Sequence, residues 1–333
     1  FLFTSAFRSL YLTFLPVLVN INMLSKAQNN LFLWTGLLLA LPGALLAPTK
    51  RSECTNPAIR RDWSTLPQSK RDAFHSAVKC LQDKPSILET NGVSKSLFDD
   101  YTYIHLQSDL IVHKVAAFYP WHRYFVDLSE CGFSDPMPYW DWTRDANSVD
   151  EYRNAPIFDT VTGFGGPSTP EGNGTAVCVD NGPYSGMQVN VPEPHCLRRA
   201  FGVTTDMLGN FTSTMVQSIM EYPDFIGFWN NSELMPHDLV HGSIGGDLRE
   251  AYSPNEPLFF LHHSQIDRLW TRWQGRNSTR LSDYRGNTVQ NTTELNASLQ
   301  DTMKFLGLGE DRSVESLMDT LSNGLCYKYD DDE

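Results

Sequence analysis

The sequence predicts a mainly α-helical domain: a four-helix-bundle core holding a dinuclear site, with long irregular loops and few short strands. Three observations lead there. Helical periodicity recurs on both sides of the middle of the chain. Residues 132–200 break that pattern and are rich in Gly, Pro, Asn and Asp, as in GFGGPSTPEGNG. Six histidines flank this segment as two triplets, His105, His113 and His122 before it and His237, His241 and His263 after it.

The elements follow in order. Residues 1–22 lack globular patterning and read as a non-native or unstructured extension. Residues 23–47 run from MLSKAQNN through the apolar LFLWTGLLLALPGALLA and end in small residues, the n-, h- and c-regions of a signal peptide. Pro42 and Gly43 interrupt the apolar stretch, and no stable membrane span is expected once it is removed. Residues 48–53, with Lys50 and Arg51, form a candidate processing segment. The folded domain is expected over 54–329, with an acidic tail at 330–333. Within it, helices are predicted at 69–83, 94–107, 121–130, 211–222, 234–242, 257–274 and 313–322. Residues 132–200 are predicted to be long irregular structure.

At 333 residues and 41% hydrophobic, the chain has material for one substantial core. Residues 1–52 hold four basic residues and no acidic one; the remaining 22 basic and 39 acidic residues give that body a net charge of −17. Such a surface argues against nucleic-acid binding, which runs on Lys and Arg. Cys54, Cys80, Cys131, Cys178, Cys196 and Cys326 form no CxxC pair, and together with the leader they imply three disulfides in a secreted protein. Sequence does not choose among the 15 pairings six cysteines allow. N-glycosylation sequons at Asn173, Asn210, Asn230, Asn277, Asn291 and Asn296 agree with secretion.

The histidines are the chemical signal. His237 and His241 sit at i and i+4, so a helix points both rings the same way. His113 and His122 are nine apart and would lie on opposite sides of one helix. Pro120 fits the first turn of a new helix carrying His122, which leaves His113 in a loop and His105 at the end of an earlier helix. His262 and His263 differ by about 100°, so one of them is expected to face inward. Sites made of imidazole alone suit copper or zinc. HDLVH has the spacing of a zinc protease, but Asp238 stands where that chemistry needs Glu. His75 and His195 read as structural or surface residues.

Two longer stretches carry a resemblance. HKVAAFYPWHRYFVDLSE, His113 to Glu130, is similar to the H-x4-F-x-x-W-H-R signature of type-3 copper proteins, the tyrosinases, catechol oxidases and hemocyanins. EPLFFLHHSQID, Glu256 to Asp267, resembles their second signature, with Glu256 where the family usually has Asp. That pattern places the ligand four residues before the Asp, and so selects His263 over His262. IRRDWSTL, with Arg60 or Arg61, looks like the family's opening segment, and Tyr327-Lys328-Tyr329 resembles its closing Tyr-x-Tyr. The chain is identified as similar to short fungal members without a C-terminal shielding domain, over roughly residues 54–329.

The resemblance implies two copper ions, one on His105, His113 and His122 and one on His237, His241 and His263, with dioxygen as co-substrate. It implies oxidation of catechols to o-quinones and ortho-hydroxylation of monophenols, with a small phenolic or catecholic substrate as the partner. Two alternatives stay open: a strict catechol oxidase, or an oxygen-binding protein like the hemocyanins. Glu233, one helical turn before His237, resembles the family's water-holding Glu. Asp238 follows His237 where many tyrosinases carry Asn. Both are candidate catalytic residues; helix-start carboxylates are the alternative reading. Asp267 is expected to fix an imidazole or to pair with Arg268 or Arg272. Some members tie a histidine to a Cys at the position held here by Ile111, so that crosslink is expected to be missing.

Overall fold

The computed structural model describes residues 54–127, 133, 135–168, 175–322 and 324–332. The extension, the signal peptide and the processing segment lie outside these residues, as do Glu130, Cys131 and Asn173.

Among the described residues the helices are α1 (Gln68–Asp83), α2 (Leu97–Val112), α3 (Phe118–Phe125), α4 (Val149–Arg153), α5 (Thr205–Gly209), α6 (Ser213–Met220), α7 (Phe225–Ser232), α8 (Asp238–Ile244) and α9 (Leu258–Gly275). Strands are short, as expected. The longest pairing joins Ala58–Arg60 in parallel to Tyr327–Tyr329, bringing the two ends of the domain together beside the Cys54–Cys326 disulfide. Cys178–Cys196 ties two points of the irregular middle segment, and Cys80 is also disulfide-bonded.

Each long helix has a local cause. A capping box starts α2: the Ser96 hydroxyl accepts from the Asp99 amide, and the Asp99 carboxylate accepts from the Ser96 amide. That helix runs to Val112 rather than stopping at 107, which places His105 mid-helix and makes His113 its C-cap. The predicted break before His122 is present, since α3 begins at Phe118 with Pro120 in its first turn.

Two expectations fail. The predicted regular helix at 234–242 is a composite: α7 leads into a π turn, Glu233–His237, and then into α8. Pro236 has no amide to donate and sits inside that turn, a common origin of such bulges. The predicted helix at 313–322 is only a 3₁₀ turn, Val314–Leu317. The carbonyls that would propagate it are taken elsewhere: Leu317 and Met318 accept from the Arg123 guanidinium, and Met318 also accepts from Gln274.

The core is aromatic and continuous. Trp121, Trp142, Trp270 and Trp273 are fully buried, and residues 253–270 are buried without interruption. One ionic network joins the ends of the domain to the bundle. Asp267 accepts from Arg123 (2.5 Å) and from the hydroxyls of Tyr327 and Tyr329 (2.6 Å each), with Arg60 at 3.4 Å. It fixes no imidazole, contrary to expectation. Arg268 and Arg272 also turn away from it, both toward Asp331. With four donors around it, the Asp267 carboxyl sits below the usual carboxylate range despite its burial.

Candidate metal centre

Four helical elements bring the histidines together: α2 with its C-cap, α3, the π turn running into α8, and α9. In the first triplet, His105 Nδ1 donates to the Ala251 carbonyl at 2.7 Å, and His122 Nδ1 to the Phe118 carbonyl one turn back at 2.7 Å. His113 Nδ1 faces the Asp109 carboxylate at 3.0 Å. In the second, His237 Nδ1 faces the Asp238 carboxylate at 3.0 Å and His241 Nδ1 donates to the Leu248 carbonyl.

These bonds decide the tautomers. A carbonyl oxygen only accepts, so the ring proton of His105, His122 and His241 is on Nδ1 and the lone pair is on Nε2. The Nε2 atoms of His105 and His122 lie 3.3 Å apart, and those of His241 and His263 lie 3.2 Å apart. The lone pairs of His105 and His122 cannot satisfy one another, but a metal ion can accept both. Nitrogens about 2.0–2.1 Å from a tetrahedral ion stand about 3.3–3.4 Å apart, so the spacing fits one metal per triplet. His237 Nε2 is buried without a hydrogen-bond partner, an orphaned lone pair that such an ion would use. Burial pushes His105, His122, His237 and His263 well below the usual histidine range and His241 down to about 4, which keeps the rings neutral as ligation requires.

Aromatic rings wall the site. Phe259 lies 4.1 Å from His263 and 5.1 Å from His105, and Phe118 lies 4.7 Å from His237 and 4.9 Å from His122. His122 stacks on His263 at 4.4 Å, so the two triplets touch. Neither His262 nor His263 turns outward, against the expectation that one would. Both are fully buried, and His262 falls within the same cluster as His237, His241 and His263.

Glu233 is buried beside the site. Its oxygens accept from the Lys114 amide and the Trp229 indole N–H, each at 2.7 Å, and burial pushes its carboxyl up. Asp238 is half-exposed; its carboxylate meets His237 on one oxygen and the Lys114 ammonium on the other. A cleft of about 1000 Å³ opens over the centre, lined by His105, His113, His237, His241, Lys114 and Asp238 among others. Glu233 is set back behind that wall.

The family description "Tyrosinase: Common central domain of tyrosinase" matches residues 95–276, more than half of the chain. The Tyrosinase-like protein phomQ1' of Diaporthe leptostromiformis is 35% identical, over 84% of this chain and 81% of its own length. The chain belongs to the tyrosinase family of type-3 copper proteins. Tyrosinase ustQ of Aspergillus flavus is also 35% identical, over 83% of this chain and 80% of its own. Among solved structures, a point variant of the polyphenol oxidase from Thermothelomyces thermophila superposes with a TM-score of 0.73 at 27% identity, covering 82% of this chain and 88% of that one.

Against this tyrosinase-family frame, the sequence reading missed two residues. Asp109 is one helical turn before His113, and that spacing was a signal it could have used. Lys114 carries no such signal. It takes a left-handed backbone, φ +55°, and so aims its amide at Glu233 and its ammonium at Asp238.

Proposed function

We propose that this chain holds one copper ion on His105, His113 and His122 and a second on His237, His241 and His263, and uses dioxygen to oxidise catechols to o-quinones and to ortho-hydroxylate monophenols. The observation that carries the reading is the convergence of six imidazoles in two touching triplets beneath an open cleft. Copper bound there supplies the one-electron steps that reduce dioxygen and withdraw electrons from the phenol.

The chain's own residues prepare the ground. The Nδ1 hydrogen bonds of His105, His122 and His241 fix the tautomer and aim of those rings, the role that outer partners play for metal ligands generally. Phe118 and Phe259 exclude water from the sides. Asp238 lines the cleft and has lone pairs left to take a phenolic proton. Glu233 sits one layer back, holding the Lys114 backbone and thereby the ammonium that Asp238 faces. The pairing of Asp238 with both Lys114 and His237 also favours a narrower reading, catechol oxidation alone, because each partner competes for the proton acceptor. The open cleft favours an oxidase over an oxygen carrier, which needs no room for an aromatic substrate.

The test is copper-reconstituted protein assayed for quinone formation and oxygen uptake on a matched monophenol and catechol. Quinone from both is expected. Quinone from the catechol alone selects the narrower reading, and none from either with two coppers bound overturns the proposal. We also propose export through the secretory pathway. The disulfides and the exposed Asn230, Asn277, Asn291 and Asn296 support it, and among the described residues no helix is long and apolar enough to cross a membrane. A mass shift on glycosidase treatment checks it.

A further inference from the structure

One short loop serves both triplets. Residues 246–251 follow α8, and within them the Leu248 carbonyl takes the His241 Nδ1 proton while the Ala251 carbonyl takes that of His105, at 2.7 Å. His122, by contrast, is set by its own helix through Phe118. The aim of one imidazole in each half of the centre therefore depends on where this loop sits.

The loop is anchored by one carboxylate. Asp247 is fully buried, faces His195 Nε2 at 2.9 Å, and accepts from Arg198 Nε at 3.2 Å and Asn255 Nδ2 at 3.4 Å. Two of these partners come from the irregular middle segment, next to the Cys178–Cys196 disulfide. Backbone contacts press the same two segments together. The Ile244 carbonyl accepts from the Ala200 and Phe201 amides, and Gly246, at φ +57°, passes so close that a Cβ there would stand 2.1 Å from the Arg198 carbonyl. Buried charges with several donors are strongly directional and costly to disturb.

We propose that Asp247 is a positioning residue for both halves of the metal centre, aiming the Leu248 and Ala251 carbonyls that orient His241 and His105. The inference rests on reading the two triplets as metal ligands, but its first readout needs no metal. In 15N-labelled metal-free protein, the Nδ1–H protons of His105, His241 and His122 are followed by hydrogen exchange. Asp247→Asn is expected to speed exchange at His105 and His241 at least tenfold and to leave His122 unchanged. In copper-loaded protein, retention against a chelator is expected to fall about 10–100-fold at both sites. Acceleration of all three protons alike would mean general loosening and would overturn the proposal. So would no change at His105 and His241, or copper loss confined to one site. His195→Leu, which removes one partner of Asp247 and leaves Arg198 in place, carries the same test with a smaller effect should Asp247→Asn fail to fold. Wild-type protein that binds no copper would instead sink the metal reading and leave the exchange result standing.

Discussion

Position 256 is where this chain departs from the usual Asp of the second signature, and its structural setting predicts that the departure matters. Glu256 and Arg199 are both buried and meet in a bidentate pair, Nε to Oε2 at 2.7 Å and Nη2 to Oε1 at 2.9 Å. The remaining guanidinium nitrogen donates to the Phe164 and Gly165 carbonyls, so Arg199 cannot swing out to water. Glu256 Oε1 also takes the Leu258 amide at the first turn of α9, the helix that carries His263. Glu256→Gln leaves the guanidinium buried without its counter-charge, which costs about 3–5 kcal/mol. A domain with about 5–15 kcal/mol in total loses a large fraction of its stability that way. Glu256→Asp, the family's usual residue, withdraws the carboxylate by about 1.5 Å, one C–C bond, and breaks the bidentate contact while keeping the charge; about 1–3 kcal/mol is expected. Replacing both partners by Met should recover part of the loss, because no orphan charge remains although the Phe164 and Gly165 carbonyls lose their donor. Urea unfolding read by far-ultraviolet circular dichroism and Trp fluorescence, at constant slope, measures all three. A Glu256→Gln protein within 1 kcal/mol of wild type, or a double variant as unstable as the single, would refute the argument.

Three other outcomes are expected. Glu233→Gln should slow monophenol hydroxylation more than catechol oxidation, since it disturbs Lys114 and hence Asp238; equal loss on matched substrates removes its assigned role. His263→Ala should abolish activity and release one copper by elemental analysis, while His262→Ala keeps two; the reverse would exchange their roles. His75 is buried against Tyr184, and burial lowers it from the unfolded 6.5 to about 4. Between those values the unfolded chain binds the extra proton, so stability falls as pH drops from about 6.5 to 4, by about 3 kcal/mol in total. His75→Gln should flatten urea midpoints over that window by that amount, and an unchanged slope would show that other groups carry the acid sensitivity.

The six histidines were legible because their types are scarce and their spacings answer to local geometry: i and i+4 on one helix, Pro120 between two others. What was not legible depends on residues that arrive from far along the chain. Nothing near 313–322 announces that Arg123, 194 positions from Leu317, takes the carbonyls a helix would need. Asp267 sits four residues after His263, as a second partner of an imidazole would, yet Arg60, Arg123, Tyr327 and Tyr329 reach it from both ends of the domain. Asp238 was visible beside His237, but the ammonium that sets its chemistry comes from Lys114, aimed by a left-handed backbone that no pattern announces.

The pair His262 and His263 shows the limit most sharply. A helical wheel separates inner from outer residues only when the helix has an outside. Residues 258–270 of α9 are buried all round, so the 100° step between neighbours merely turns a ring from one part of the core to another. Burial therefore does not choose between them. His263 brings Nε2 to 3.2 Å from Nε2 of His241, whose own proton is committed to the Leu248 carbonyl. Both ring nitrogens of His262 are likewise buried without a hydrogen-bond partner, its ring lies nearly parallel to His237 at 5.4 Å, and it shares one cluster with His237, His241 and His263. The choice of His263 therefore rests on the signature spacing, and the copper counts of His262→Ala and His263→Ala test it.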